Sequence, residues 1–196
     1  MHMKQFSQKT LVVILGTLMM AIGVNLFIIS GQGVDPLSTF LDGMTKHIPV
    51  SLGTMISLFN AIVLVIVFFI DRRHIGLGSF INGIFTGVFS NMLMAAMQPI
   101  GQLPTVIIVI IGTLIFSFGI ALYMQAMLGL GTVEATMLIL TSRTGISATK
   151  IRTAMDVFFI VGGILLGATF GYGSIVSALL NGKLIGVYSN MLNKLK

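Results

Sequence analysis

The chain has 196 residues, of which 56% are hydrophobic and only 8% charged, with no cysteine and a net charge of +6. A mean hydropathy of +1.05 excludes an ordinary soluble domain, in which roughly 25% of residues are charged. The absence of cysteine excludes a disulfide framework, thiolate metal sites and thiol chemistry, and the excess of positive charge is read below as membrane topology, with no nucleic-acid partner expected.

Taken in order, the stretches 11–30, 51–70, 75–97, 105–126, 150–168 and 174–193 are each about as long as the ~20 residues that cross a bilayer. The first lacks a small-x-small cleavage site and is read as a retained span. These spans and their short connections use up the chain, so the expectation is one transmembrane domain, 1–196, without a soluble catalytic part. Lys4 and Lys9 precede the first span, Arg72, Arg73 and His74 follow the second, Arg143, Lys150 and Arg152 precede or open the fifth, and Lys194 and Lys196 follow the sixth. With six crossings all of these fall on one side, and short cytoplasmic loops collect Lys and Arg, so both termini are expected in the cytoplasm of a bacterial inner-membrane protein. Loops 98–104 and 169–173 carry no charge and are expected outside. Counting 35–46 and 132–143 as further crossings would put Arg72 and Arg73 outside, and both segments are too short.

The chain repeats itself. Val13-Ile14-Leu15-Gly16-Thr17-Leu18 returns as Val109-Ile110-Ile111-Gly112-Thr113-Leu114, Gly23 returns as Gly119, and Gly31-Gln32-Gly33 as Gly129-Leu130-Gly131. In the same order Ser51 matches Ser147, Asn60 matches Asp156, and Gly76-Leu77-Gly78-Ser79 matches Gly171-Tyr172-Gly173-Ser174. Two collinear copies of three spans each, about 11–97 and 105–193, must enter the membrane from opposite sides, because three is odd. The expected fold is therefore an all-α membrane protein of six transmembrane helices arranged as two inverted three-helix repeats, an architecture typical of transporters and channels.

Each copy also holds a short helix between its first two spans. In the first copy Asp35 is a natural N-cap with Pro36 at the first helical position. Leu37, Phe40, Leu41 and Met44 form an apolar stripe against Ser38, Thr39, Asp42 and Thr45, as in a helix lying at the outer interface. The counterpart, Thr132 to Arg143, is more apolar around its circumference, carries Glu134 in its first turn, and is expected deeper. Whether these helices are interfacial or re-entrant is open at this point.

Small residues four apart, Gly83/Gly87, Gly163/Gly167 and Ala178/Gly182/Gly186, are read as helix-contact positions. The ionisable residues inside spans carry more information, because each costs about 2.5–3.5 kcal/mol at a helix centre unless paired or hydrated. Asp156 lies in the fifth span with Arg152 one turn behind on the same face, Lys183 lies near the middle of the sixth, and Glu134 is within reach of the same cytoplasmic half. Two readings stand together: a structural cluster in which Asp156 and Glu134 serve as counter-ions for Arg152 and Lys183, or the lining of a hydrated cavity. Asn60, at the position equivalent to Asp156, belongs with this set, whereas Asn25, Asn82, Asn91, Gln125 and Asn181 are read as interhelical hydrogen-bonding groups. The candidate substrate- or ion-binding residues are thus Asp35, Asn60, Glu134, Arg152, Asp156 and Lys183. No metal-ligand spacing, nucleophile elbow or phosphate loop occurs, so no enzyme, cofactor or metal is expected.

Gly129-Leu130-Gly131-Thr132-Val133-Glu134-Ala135, Thr144-Gly145, Ile151-Arg152-Thr153-Ala154-Met155-Asp156 and the Gly171-Tyr172-Gly173-Ser174 turn, with Gly31-x-Gly33-x-Asp35-Pro36, resemble the YczE branch of the YczE/YyaS/YitT family of bacterial membrane proteins over nearly the whole chain. The resemblance implies that Glu134, Arg152 and Asp156 belong to a family motif. It supplies no substrate, and Lys183 stands where the family pattern leads one to expect proline. The expected function is a small-solute permease with a site between the halves. The alternatives are a non-transporting membrane scaffold or regulator and the substrate-binding subunit of a multi-component importer. Expected partners are lipid and a small-molecule or ion substrate, with a second copy of the chain or a partner membrane protein as a further possibility.

Overall fold

The computed structural model describes residues 2–194, so Lys196, one of the charges used above for topology, lies outside the described residues. Eight α-helices follow one another: α1 (His2–Ser30), α2 (Pro36–Thr45), α3 (Leu52–Asp71), α4 (Leu77–Met97), α5 (Thr105–Gln125), α6 (Thr132–Thr144), α7 (Ala148–Leu165) and α8 (Tyr172–Lys194). Short 3-10 turns at Arg72–His74 and Gln98–Gln102 extend α3 and α4. Five helical stretches, containing α1, α3, α4, α5 and α8, are long and apolar enough to cross a membrane. α7 is not among them: its 18 residues include Lys150, Arg152 and Asp156, and the predicted fifth span loses its last turn, Leu166 to Ala168, to a glycine turn at Gly167, φ +85°. Its outward residues Val157, Phe158, Val161 and Leu165 are nonetheless apolar and exposed, as are Phe69, Met92 and Leu179 on other helices. A surface of this kind is suited to lipid.

The centre of the bundle is a seam between α1 and α5. Gly16 lies against Gly119, and Gly112 approaches Gly23, so numbers rise on one helix as they fall on the other and the two run antiparallel. A Cβ on Gly16 would stand 2.8 Å from the Gly119 carbonyl oxygen, and one on Gly119 would stand 2.7 Å from that of Gly16. Both are backbone contacts with no side chain to give way, so only glycine permits this approach. Val24, Phe27, Val109, Phe116, Ile120 and Tyr123 fill the space around it, with Phe27 and Phe116 edge to face at 6.2 Å.

The connections interlock across the seam. Gly78 N–H, at the start of α4, donates to Leu128 O before α6, and Gly173 N–H, at the start of α8, donates to Gln32 O before α2. Leu130 N–H donates to His74 O, while Gly33 bridges Phe170 in the same antiparallel manner. Each glycine turn of one half is thus hydrogen-bonded to the turn before the last long helix of the other. α3 packs along α4, whereas α7 leaves α8 and packs on α2.

That difference decides how far the rest of the protein covers each short helix. α2 does not lie on the outer surface: Ser38, Thr39, Leu41 and Gly43 are buried, and none of its residues is exposed. Two of the polar residues assigned to its wet face are among the most enclosed, because Gly163 of α7 presses on the Thr39 backbone and Thr39 Oγ1 satisfies itself on the carbonyls of Val34 and Asp35. α6, expected deeper, buries only its first turns and Ile139, and Arg143 and Thr144 at its end are exposed. Of the small-residue series, Gly87 and Gly163 make tight helix contacts, but Gly182 and Gly186 face open space and are not contact positions.

Candidate functional site

α2 and α6 begin in similar ways and end at one place. Gly33, with φ +81°, turns the chain after α1; Asp35 is then extended, its Oδ1 accepts Ser38 N–H at 3.3 Å, and Pro36 opens the helix. Gly129, with φ +116°, makes the corresponding turn after α5, but the N-cap there is Gly131 and has no side chain to offer. Tyr123 takes over. Its hydroxyl accepts Gly131 N–H at 3.1 Å and donates to Glu134 Oε2 at 2.7 Å, so the first turn of α6 is tied to α5.

Both N-termini line one partly open cavity of about 70 Å³ to which all eight helices contribute, with Met20, Pro36, Ile56, Asn82, Phe116 and Asn181 among its walls. At 10–15 Å³ of such volume per water it holds about five waters or one small solute. Its polar wall holds two bonded clusters. Arg152 Nε donates to both oxygens of Asp156 at 3.2 and 3.3 Å, and the same guanidinium stands 3.7 Å from Glu134 Oε1. Thr132 donates to Asn60 Oδ1 at 2.6 Å, joining the start of α6 to α3. Whatever the net worth of such a group, removing a guanidinium shared by two carboxylates in a partly desolvated place is costly, because it leaves two anions without their cation.

Five of the six candidate residues, Asp35, Asn60, Glu134, Arg152 and Asp156, therefore meet at the cavity. Lys183 does not. It is exposed on α8, two residues from the cavity-lining Asn181, and two residues are about 200° around a helix, so one inward position makes the other outward. The counter-ion role expected for Lys183 beside Glu134 and Asp156 is thus not taken up, and Arg152 alone serves both carboxylates. Of the other polar residues within spans, Asn25 pairs with Ser90, Asn91 with Ser51 and Thr54, and Gln125 with Asn193, all between helices as expected. Asn82 and Asn181 also bond across helices, to Met20 and Ser117, but line the cavity as well.

Tyr123 and Thr132 escaped the sequence reading. The available signal was Tyr123 itself: a phenol within an otherwise apolar span needs a partner for its hydroxyl when buried, and it is 1% exposed. Among the described residues no three His, Asp, Glu or Cys side chains converge so as to hold a metal ion.

The model of a family described as "Family of unknown function (DUF6198)" matches residues 7–190, and the chain belongs to that family. It is 24% identical over 175 residues to the Bacillus subtilis "Uncharacterized membrane protein YczE", covering 87% of this chain and 80% of that one. An "Uncharacterized protein" of Haemophilus influenzae is 26% identical over 189 residues, covering 95% and 86%. The Bacillus subtilis "Uncharacterized protein YyaS" is 23% identical over 184 residues, covering 92% of each. No solved structure matches the chain. Apolar helices of membrane-spanning length and a relative named as a membrane protein make this a membrane protein of the kind the YczE-like resemblance implies.

Proposed function

We propose that this member of the DUF6198 family is a small-solute permease of the bacterial cytoplasmic membrane, with its site at the junction of two inverted three-helix repeats. In this reading α7 is the fifth of six crossings: its 18 residues span about 27 Å, close to the ~30 Å of a hydrocarbon core, and Arg152 and Asp156 line the cavity while Lys150 lies at the exposed start of the helix. Two inverted halves are supported by the paired glycine contacts of α1 with α5 and by the reciprocal bonds Gly78 to Leu128 and Gly173 to Gln32. The basic residues at Lys9, Arg72, Arg73, Arg143, Lys150 and Lys194 then all lie on one side, which places both termini in the cytoplasm.

The observation that carries the reading is the meeting of the α2 and α6 N-termini at one polar cavity. Short helices interrupted at the midplane and aimed at a shared site from opposite sides are how inverted-repeat transporters bind their solutes, and rocking of the halves exposes such a site alternately. The chain has no cysteine, so single-cysteine variants report without background. Ser38→Cys and Val133→Cys, both at the cavity wall, should react with a membrane-impermeant thiol reagent from either face of right-side-out and inverted vesicles. Labels at Gln102→Cys and Lys194→Cys fix which face is which and should react from opposite sides. A cavity closed to reagent from both faces would mean that the charged cluster is a structural core and the chain a scaffold.

A further inference from the structure

Two buried polar atoms at the cavity have no partner. Asp35 Oδ2 accepts no hydrogen bond, although Asp35 is 6% exposed, and Asn181 Nδ2 donates none, although Asn181 is 3% exposed. Both residues line the cavity. Their other atoms are committed, Asp35 Oδ1 to the Ser38 N–H and Asn181 Oδ1 to the Ser117 hydroxyl, so neither side chain can turn away to pair elsewhere without losing a bond. An unpaired buried acceptor and an unpaired buried donor each carry an uncompensated desolvation cost. They are of opposite polarity, so a ligand that satisfies both brings a donor to one and an acceptor to the other.

Charge sets the sign of that ligand. Counted as ionised, Asp35, Glu134 and Asp156 stand against Arg152 among the cavity-lining residues, which leaves two negative charges, and the N-termini of α2 and α6, each about half a positive charge, offset about one of them. One positive charge remains to be supplied. A bare metal ion fits poorly, since among the described residues no three carboxylate or imidazole groups converge on a point. Much of the remaining wall is apolar, with Ile56, Phe116, Ile120 and Phe159, and suits carbon, while the aromatic rings tolerate an ammonium.

We infer that the cavity binds a small organic ammonium ion carrying an oxygen acceptor, its N–H groups on Asp35 Oδ2 and its oxygen on Asn181 Nδ2. This deepens the transport reading, on which it rests for its purpose, by assigning a substrate class. The volume of about 70 Å³ matches a two- or three-carbon amine.

Binding of radiolabelled ethanolamine and glycinamide to the detergent-purified full chain tests the inference. At least one of the two should bind saturably, n-propylamine should compete at least tenfold less well because it lacks the oxygen, and ethylene glycol, without the charge, should not compete. Asp35→Asn keeps the helix cap, since Asn and Asp cap equally well, and should weaken binding at least tenfold. Asn181→Leu should shrink the advantage of ethanolamine over propylamine to less than twofold, and serves alone if Asp35→Asn does not fold. No saturable binding by the parent chain would mean that water alone fills the cavity, and unchanged binding by a folded Asp35→Asn would mean that the charge is not read; either overturns the inference. Proteoliposome flux separates this from the broader reading. Saturable ethanolamine binding without flux sinks the permease and leaves the ammonium site standing, whereas flux of a neutral or anionic solute unaltered by Asp35→Asn does the reverse.

Discussion

α2, which follows α1, and α6, which follows α5, open onto the same cavity and are held in opposite ways. α2 caps itself through Asp35 and is gripped along its length by α7, with Gly43 against the Gly163 backbone, Gly163 against that of Thr39, and Phe40 among Phe59, Phe158 and Phe159. α6 has no capping side chain of its own, borrows Tyr123 from α5, and rests on α3 through Ala135 and Ile139 against Val67, leaving its last turn exposed. The comparison separates two requirements that a repeat sequence would suggest are one. The N-terminal turns, which face the cavity, are fixed in both halves; the remainder of each helix is free to differ, because what covers it depends on where the neighbouring long helix goes.

The largest effect should come from removing the cation that α6 and α7 share. Arg152→Met leaves Glu134 and Asp156 without their shared cation and should cost about 3 kcal/mol, read as the greatest fall in thermal unfolding midpoint among the variants here; a midpoint equal to the parent's would show that the two carboxylates are already neutral or hydrated. Gly163→Val should act on α2 alone. Its Cβ would meet the Thr39 carbonyl oxygen at 2.5 Å, so overpacking should cost about 1–3 kcal/mol, and hydrogen exchange should quicken over 36–45 while 132–144 is unaffected. Equal change in both segments would mean that α2 and α6 move as one body.

Tyr123→Phe is the complementary break. It strips Glu134 of a donor and Gly131 N–H of an acceptor, at about 1–2 kcal/mol for the orphaned groups, and should quicken exchange at the start of α6 but not of α2. In the parent chain itself, amides of 140–144 should exchange faster than those of 37–44, since the end of α6 is exposed and that of α2 is enclosed. The smallest effect should be that of Lys183→Gln. An exposed side chain outside the cavity should change stability by less than about 0.5 kcal/mol and leave any solute binding unaltered; a larger change would return Lys183 to the site from which its position on α8 removes it.

Local chemistry made much of this legible from the sequence alone. The apolar runs required a membrane, Asp35-Pro36 announced a helix start that the backbone adopts, and the four-residue spacing of Arg152 and Asp156 put both on one helix face, where they pair at 3.2 Å. The recurring glycines at 16, 23, 112 and 119 were visible as a repeat, and their meaning as a seam followed once α1 and α5 were side by side. Apart from the repeat, which only a comparison of distant segments reveals, each of these depends on residues within a turn of each other or on overall composition.

Tertiary structure alone decided which way the helices face. α6 and α8 mix small, polar and apolar residues around the whole circumference, so no stripe in the sequence fixes their rotation, and only packing puts Asn181 inward and Lys183 outward. The burial of α2 likewise follows from α7 leaving α8 to lie against it, a choice that an amphipathic pattern misread as a wet surface. The cavity is the sum of such choices by eight helices. Its unpaired Asp35 and Asn181 atoms exist because packing enclosed them without supplying a partner, and no periodicity within one segment records that.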